Sequence, residues 1–181
     1  IVDLKGMPSD FDEIIKLFKK RNIKIIGDSA ESFGAIYKNK KVGSQVDAHS
    51  FSFFANKNLT MGEGGLVTTN DDEIAKKCKL FRNQGQRERY EHIIIGNNYR
   101  LNDYSAAFGI VQLSKIEWVM KEKNIAAELY NNHFENHKYI KKPFIPEYVS
   151  RHSWYMYSII LDKKIDRKKV IDYLAKLNIH T

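Results

Sequence analysis

An aspartate, a serine and a lysine that could take part in one reaction lie at or near the ends of two predicted strands. Asp28 ends the apolar run 23–27, while Ser52 lies in the predicted strand 47–54 and Lys57 follows that strand. A lysine that loses hydration between packed walls can act as an amine nucleophile and form a Schiff base. A carboxylate can keep a pyridine nitrogen protonated, so that the ring becomes an electron sink, and a hydroxyl can bind a phosphate. These residue types favour a Schiff-base cofactor.

Simpler structural roles for both charged residues stay open. Lys57 is one of 30 lysines and arginines and could be solvated at the surface, and Asp28 could cap a turn or a helix. The neighbours of Lys57 favour a functional role, because Phe51 and Phe53 share one face of the strand and three glycines occur within residues 62–65. Glycine allows the main chain to approach a bound group closely.

The elements before Lys57 predict how these residues are positioned. Residues 1–6 form a short predicted strand, and apolar residues at helical spacing predict an amphipathic helix from Phe11 to about Lys20. A second strand, 23–27, completes a strand–helix–strand unit, whose right-handed crossover makes the two strands parallel. Ligands of open α/β sheets bind beyond the carboxyl ends of the strands, which is where Asp28 lies.

Further elements follow along the chain. We predict a strand at 66–69 that pairs with 47–54, a helix at 73–81 capped within 70–72, and a long helix at 106–130. The 17-residue polar stretch 82–98 is long enough to be a functional loop. Pro143 and Pro146 mark a linker, 152–161 is a predicted strand, and Asp166 caps a last helix. We place a domain boundary after the long helix, giving a large domain at 1–130 and part of a small C-terminal domain at 131–181.

Composition excludes several other classes of protein. The single cysteine, Cys78, rules out a disulfide framework, fits a reducing cytoplasm, and has core-like helical spacing. No apolar run approaches the length of a membrane span, and no cysteine or histidine cluster has metal-ligand spacing. The net charge of +8 is spread over short pairs such as Lys40-Lys41, which does not favour nucleic-acid binding but would suit a substrate with phosphates.

Four motifs, in order and spacing, carry a resemblance to a known family. They read Asp-Ser-Ala-Glu-Ser-Phe-Gly-Ala at 28–35, Phe-Ser-Phe-Phe-Ala-Asn-Lys-Asn at 51–58, Gly-Glu-Gly-Gly at 62–65 and Gly-Asn-Asn-Tyr-Arg-Leu at 96–101. Over nearly the whole chain the sequence resembles the DegT/DnrJ/EryC1/StrS family of pyridoxal-phosphate-dependent sugar aminotransferases, and its 4-aminotransferases most. The resemblance implies an α/β fold of the aspartate-aminotransferase type (PLP fold type I), with a mostly parallel sheet and flanking helices.

The resemblance also implies a role for each matching residue. Lys57 corresponds to the catalytic lysine that forms a Schiff base with pyridoxal 5'-phosphate and moves the proton. Asp28 corresponds to the partner of the pyridine nitrogen, and Ser52 to a phosphate ligand. Glu31 lies at a position near the 3'-oxygen of the cofactor. Asn98 corresponds to an asparagine that reaches the phosphate from the neighbouring subunit.

The implied reaction transfers an amino group, usually from glutamate, to a nucleotide-linked 4-keto-6-deoxyhexose, in a homodimer with shared sites. Because the sequence starts at Ile1 and relatives extend further at both ends, we expect this chain to be a piece of a longer protein. The resemblance implies that the missing N-terminal part carries a phosphate-binding loop and an aromatic residue that stacks on the cofactor ring. Family members that dehydrate have histidine for the lysine, and Lys57 argues against that branch. Two alternatives stay open: a non-aminating or regulatory PLP protein, and a basic binding module.

Overall fold

The structure, a computed structural model, describes residues 1–18 and 21–181 as helices that flank short strands. The helices are α1 Phe11–Phe18, α2 Asp72–Arg82, α3 Asp103–Ser114, α4 Ile116–His133 and α5 Arg167–Lys176. The strands are β1 Ile26–Asp28, β2 Ile36–Tyr37, β3 Lys40–Lys41, β4 Ala48–Ser52, β5 Gly65–Thr68, β6 Gln86–Glu88, β7 Glu91–His92, β8 Ile140–Lys141, β9 Val149–Arg151 and β10 Ile160–Leu161. The predicted end of the first helix, Lys19 and Lys20, lies outside the described residues.

The sheet that carries the candidate site has the order β1-β4-β5. Strand β1 pairs in parallel with β4, so that Asp28 lies opposite Ser50, and β4 pairs antiparallel with β5. Val2 adds an isolated parallel bridge to Asp28, which confirms the predicted parallel direction of the chain before and after α1. This three-stranded sheet therefore contains one parallel and one antiparallel pair of strands.

Alternating side chains in and after β4 build the core beneath the site. Phe51, Phe53 and Leu59 are buried together, and Phe33 packs edge-on against both phenylalanines with ring centroids 5.6 and 5.3 Å away. The intervening serines are only half-buried. The predicted period-two alternation is therefore confirmed, and it leaves the hydroxyl face of β4 free for other contacts.

Side-chain caps fix where two of the predicted helices begin. Asp71 accepts hydrogen bonds from the backbone N–H groups of Glu73 and Ile74, and Asp166 accepts from those of Lys168 and Lys169. Each cap satisfies N–H groups that lack a partner within the helix. Both predicted helix starts are confirmed.

The predicted long helix 106–130 is wrong, because two helices, α3 and α4, meet at Lys115. The hydroxyl of Ser114 donates to the carbonyl of Val111 at 2.8 Å. A serine that bonds back to the preceding turn competes with the backbone ladder and bends a helix. The predicted loop 82–98 likewise contains structure, since β6 and β7 pair as a small hairpin.

Both predicted end strands are mostly irregular. The first is reduced to the bridge at Val2 and a single 3-10 turn, Leu4–Gly6. The strand predicted at 152–161 is absent except for β10, because Trp154 has a φ of +47°, which breaks an extended chain.

Strand β9 returns the C-terminal part of the chain to the sheet region. It pairs with β2 in the three-stranded sheet β3-β2-β9. Residues 149–151 are therefore attached to residues 36–37, across the predicted boundary at 130/131, and that boundary stays a prediction. No helix within residues 1–18 and 21–181 is long and apolar enough to cross a membrane.

Candidate active site

The carboxyl edge of β1 and β4 gathers three of the predicted residues. Asp28 ends β1, Ser52 ends β4, and Lys57 follows five residues later. The strands are adjacent and parallel, so their carboxyl ends share one edge of the sheet. This confirms the predicted placement of Asp28 at the carboxyl end of a strand, and the structure adds that this strand lies next to the one that leads to Lys57.

The backbone of Asp28 is fixed, while its side chain is exposed. Its N–H donates to the carbonyl of Ile1 at 2.7 Å, and its carbonyl accepts from the N–H of Asp3 at 2.9 Å. The carboxylate accepts from the N–H of Ala30 at 3.1 Å, the turn interaction of a structural aspartate. Among the described residues no ion pair involves this carboxylate, so it retains lone pairs for a bound group.

A buried polar cluster directly follows and supports Asp28. Asp3 is fully buried, and its carboxylate accepts from the hydroxyls of Ser29 at 2.7 Å and Ser32 at 3.0 Å and from the N–H of Ser9 at 2.9 Å. The N–H of Ser29 also donates to the carbonyl of Ser50 at 2.8 Å. The residue after Asp28 is thereby held from two sides, which fixes the turn that presents the carboxylate.

His49 completes this cluster from the neighbouring strand. Its Nδ1 lies 2.9 Å from the hydroxyl of Ser29. Because that hydroxyl donates to Asp3, Nδ1 carries the proton, and Nε2 is a buried acceptor without a partner among the described residues. Burial lowers the pKa of His49, and the negative charge of Asp3 opposes that shift.

Ser52 is the last residue of β4, and Lys57 lies in the turn between β4 and β5. The hydroxyl of Ser52 accepts from the N–H of Phe54 at 3.3 Å, and the N–H of Lys57 donates to the carbonyl of Phe54 at 3.0 Å. Lys57 is half-buried, and its Nζ lies 4.4 Å from the centre of the Tyr155 ring. No carboxylate within the described part of the chain forms an ion pair with Lys57.

Glu31 joins the site through the N-terminal turn. Its carboxylate accepts from the N–H of Lys5 at 2.6 Å, and its carbonyl accepts from the hydroxyl of Ser153 at 3.1 Å. Ser153 in turn accepts, at its carbonyl, the side-chain amide of Asn58 at 2.7 Å. A chain of contacts therefore connects Glu31 with the residue next to Lys57.

Asn98 is separate from the other predicted residues. It forms an isolated bridge with Asn83, and its side-chain oxygen accepts from Nε of Arg100 at 2.9 Å. None of the hydrogen bonds within residues 1–18 and 21–181 joins it to the four residues above. A cavity of about 850 Å³ between α2 and the β6–β7 hairpin contains none of the five predicted residues, but Arg100 lines it. Its charged lining is mostly basic: Lys76, Lys79, Arg82, Arg87 and Arg100, with Asp72 as the acid.

The sequence patterns did not reveal Asn58, Ser153 and Tyr155 as part of this site. Ser153 and Tyr155 occur in a stretch that predicts a strand, and only the fold brings them to Lys57. The structure itself marks Asn58, because its side-chain oxygen is buried without a hydrogen-bond partner among the described residues. Its position directly after Lys57 is the hint that the sequence offers.

The residues present fit pyridoxal phosphate. An amine, a carboxylate and a hydroxyl occur on one sheet edge, and neither charged group is neutralised by an ion pair in the described chain. The buried acceptor of Asn58 is an unmet hydrogen-bonding group beside them. No cluster of three or more metal-ligating side chains occurs among the described residues.

Comparison with known proteins identifies first the class and then the family. Helicobacter pylori PseC, an aminotransferase involved in the biosynthesis of pseudoaminic acid, superposes with a TM-score of 0.91 at 34% identity over 97% of this chain and 49% of that one. The fold is therefore that of PLP-dependent aminotransferases, as predicted. All residues, 1–181, match the DegT/DnrJ/EryC1/StrS aminotransferase family, and the chain belongs to it.

Two further relatives extend this result. GDP-perosamine synthase of Escherichia coli O157:H7 is 37% identical over 99% of this chain and 49% of its own length. The E. coli GDP-4-keto-6-deoxy-D-mannose-3-dehydratase, solved with bound hydrated PLP, has a TM-score of 0.90 at 28% identity over 97% of this chain and 50% of that one. The prediction of pyridoxal phosphate is thus confirmed for the family. The chain spans about half the length of the curated relatives it matches.

Proposed function

We propose that the full-length protein containing this chain is a PLP-dependent aminotransferase. It would move an amino group, with glutamate as donor, to a nucleotide-linked 4-keto-6-deoxyhexose. The observation that carries the proposal is the shared edge of Asp28, Ser52 and Lys57 at the carboxyl ends of two parallel strands. GDP-perosamine synthase among the relatives supports a nucleotide sugar as acceptor, and the net charge of +8 suits its phosphates.

Each residue of this edge has a part in that reaction. The amine of Lys57 would hold the cofactor covalently and then carry a proton between the donor Cα and the cofactor. Asp28 would keep the pyridine nitrogen protonated, Ser52 would donate to the phosphate, and Glu31 would lie near the 3'-oxygen. Pyridoxal phosphate, when bound, supplies the electron sink that stabilises negative charge at Cα.

Covalent trapping tests the role of Lys57. The full-length protein is incubated with pyridoxal phosphate, reduced with borohydride, digested and analysed by mass spectrometry. We expect the cofactor on the peptide that contains Lys57, and on no peptide of Lys57→Ala. Lys40→Ala, at an exposed lysine of β3, is the matched control and should label like the wild type. Label on another lysine in the wild type would refute the assignment.

Turnover tests the reaction itself. Glutamate added before the borohydride should release the cofactor from Lys57, so that reduction no longer attaches it there, and a nucleotide-linked 4-keto sugar added next should restore the attachment. A protein that binds the cofactor at Lys57 but does not respond to glutamate would instead be a non-aminating or regulatory PLP protein. The dehydratase among the structural neighbours shows that proteins of this fold also carry out PLP chemistry other than amination, and for that reason this second function is tested.

We further propose that Asn98 acts in the partner's site of a homodimer. Two observations support this: among the described residues Asn98 has no hydrogen bond to Asp28, Ser52, Lys57 or Glu31, and Arg100, which donates to it, lines a basic cavity that would suit a phosphate. Lys57→Ala and Asn98→Ala homodimers would each have two damaged sites. Mixed dimers would contain one intact site, so mixing the two variants, with subunit exchange verified, should restore activity. No recovery would place Asn98 in its own chain's site or in none.

A further inference from the structure

We propose that Tyr155 is a positioning residue for Lys57, and this rests on the proposed role of Lys57. The ring of Tyr155 lies 4.4 Å from Nζ of Lys57, within the range of a cation–π contact. The other cation–π contacts among the described residues each join neighbours in sequence, such as Lys138 and Tyr139. The contact between Lys57 and Tyr155 joins distant segments and exists only because the fold brings them together.

The chain on either side of Tyr155 is fixed to the site. Ser153 is fully buried, and its N–H donates to the carbonyl of Gly6 at 2.9 Å. Its carbonyl accepts the side-chain amide of Asn58, the neighbour of Lys57, at 2.7 Å. On the other side, the N–H of Met156 donates to the carbonyl of Lys5 at 3.3 Å. Residues 153 and 156 thus bracket Tyr155 with bonds to the same region.

A strained residue sets the direction of the chain between these bonds. Trp154 has a φ of +47°, a conformation that is an outlier for a bulky residue and persists only when its surroundings impose it. Its ring stacks on those of His152 and Tyr157, with centroid distances of 4.1 and 5.6 Å. Its carbonyl accepts from Nζ of Lys123 at 3.1 Å. Strained backbone of this kind concentrates at functional sites, and here it directly precedes the residue that contacts Lys57.

The ring therefore restrains the Lys57 side chain before any cofactor binds. A lysine side chain has many rotamers, and holding it in one region of the site reduces the entropy lost when it reacts. No carboxylate in the described chain pairs with Lys57, so the aromatic face can hold the ammonium without neutralising it. Tyr155 acts through Lys57 and is not itself assigned a step.

The test measures Lys57 in the full-length protein without cofactor. Each variant receives a limiting amine-reactive reagent, and mass spectrometry compares the labelling rate of Lys57 with that of other lysines in the same molecules. Tyr155→Leu removes the aromatic face at similar volume, so we expect labelling of Lys57 alone to rise about two- to fivefold. A general loss of structure would raise labelling throughout the chain. Tyr155→Phe keeps the ring face and should label like the wild type.

Tyr139→Leu is the matched control, because it removes a cation–π contact elsewhere, and it should leave Lys57 unchanged. The proposal is overturned if Lys57 labels equally in Tyr155→Leu and wild type, or if Tyr155→Phe labels as fast as Tyr155→Leu. Should Tyr155→Leu fail to fold, Tyr155→Met, which also removes the ring but is more adaptable in packing, takes its place with the same expected rise in Lys57 labelling. Borohydride trapping on another lysine, with the labelling result intact, would reject the proposed function and leave this contact standing.

Discussion

Acid should destabilise this protein through His152. The ring is buried and stacks on Trp154, and its Nδ1 accepts the N–H of Trp154 at 2.9 Å. Burial lowers the pKa of His152 from 6.5 to about 4, because the charged form would lose its hydration. Between these two pKa values the unfolded chain therefore binds a proton at His152 that the folded chain does not bind. The stabilisation is complete above pH 6.5 and is lost as pH falls from 6.5 to 4.

The size of the effect follows from the shift. At about 1.4 kcal/mol per pH unit, the stability lost to this single proton reaches about 3 kcal/mol by pH 4. About half of that loss is already present roughly one unit below the ordinary pKa. A change of this size is a large fraction of the stability of an average domain.

Urea unfolding at a series of pH values, followed by tryptophan fluorescence, measures the effect in the full-length protein. His152→Asn keeps an acceptor near the position of Nδ1 and cannot titrate, and His152→Phe keeps the ring stack without titrating. Both should flatten the fall in stability between pH 6.5 and 4 by the same amount. They should differ only by an offset that does not depend on pH. His49, whose pKa burial also lowers, supplies part of the slope that remains. If both variants lose stability as steeply as the wild type, His152 is not the source.

Two further predictions concern the site and a helix cap. Asp28→Asn should lower kcat/KM by roughly two to three powers of ten, because the pyridine nitrogen of the cofactor would lose its proposed charged partner. Urea unfolding of the variant should show little change in stability. Wild-type kinetics in Asp28→Asn would limit Asp28 to its role in the turn. Asp71→Ala should cost about 1 kcal/mol in unfolding free energy, since two N–H groups of α2 lose their cap. Asp72→Ala is the matched control, expected to lose only a few tenths from the helix dipole, and equal losses in both variants would contradict the cap.

Local patterns in the sequence predicted the part of the site that local forces build. The alternation of phenylalanines and serines around Phe51 reports which side chains are buried, and burial decides the face of a strand. Capping aspartates such as Asp71 accept hydrogen bonds from N–H groups two and three residues away, so the adjacent sequence is enough to predict their role. The roles proposed for Asp28 and Lys57 come from the resemblance of the motifs to the family, because no periodicity could assign them.

The rest of the site depends on contacts between distant segments and on backbone angles. The stretch 152–156 has the aromatic and apolar residues of a strand, but apolar character does not encode the sign of φ at Trp154. Near the break between α3 and α4, the hydroxyl of Ser114 bonds back to the carbonyl of Val111, a contact that helical periodicity does not reveal. The buried cluster of Asp3 and His49 joins elements that are far apart in sequence, and single-residue patterns show neither partner.

These long-range contacts restrict how the predicted domain boundary at 130/131 could act as a hinge. Ser153 and Tyr155 lie after that boundary, yet they contact Glu31 and Lys57, which lie before it. Strand β9 adds pairing with β2 just ahead of them. If residues 131–181 moved as an independent small domain, the ring would leave Lys57 with every movement. The proposed role of Tyr155 therefore requires residues 149–156 to remain with the part of the chain before the boundary.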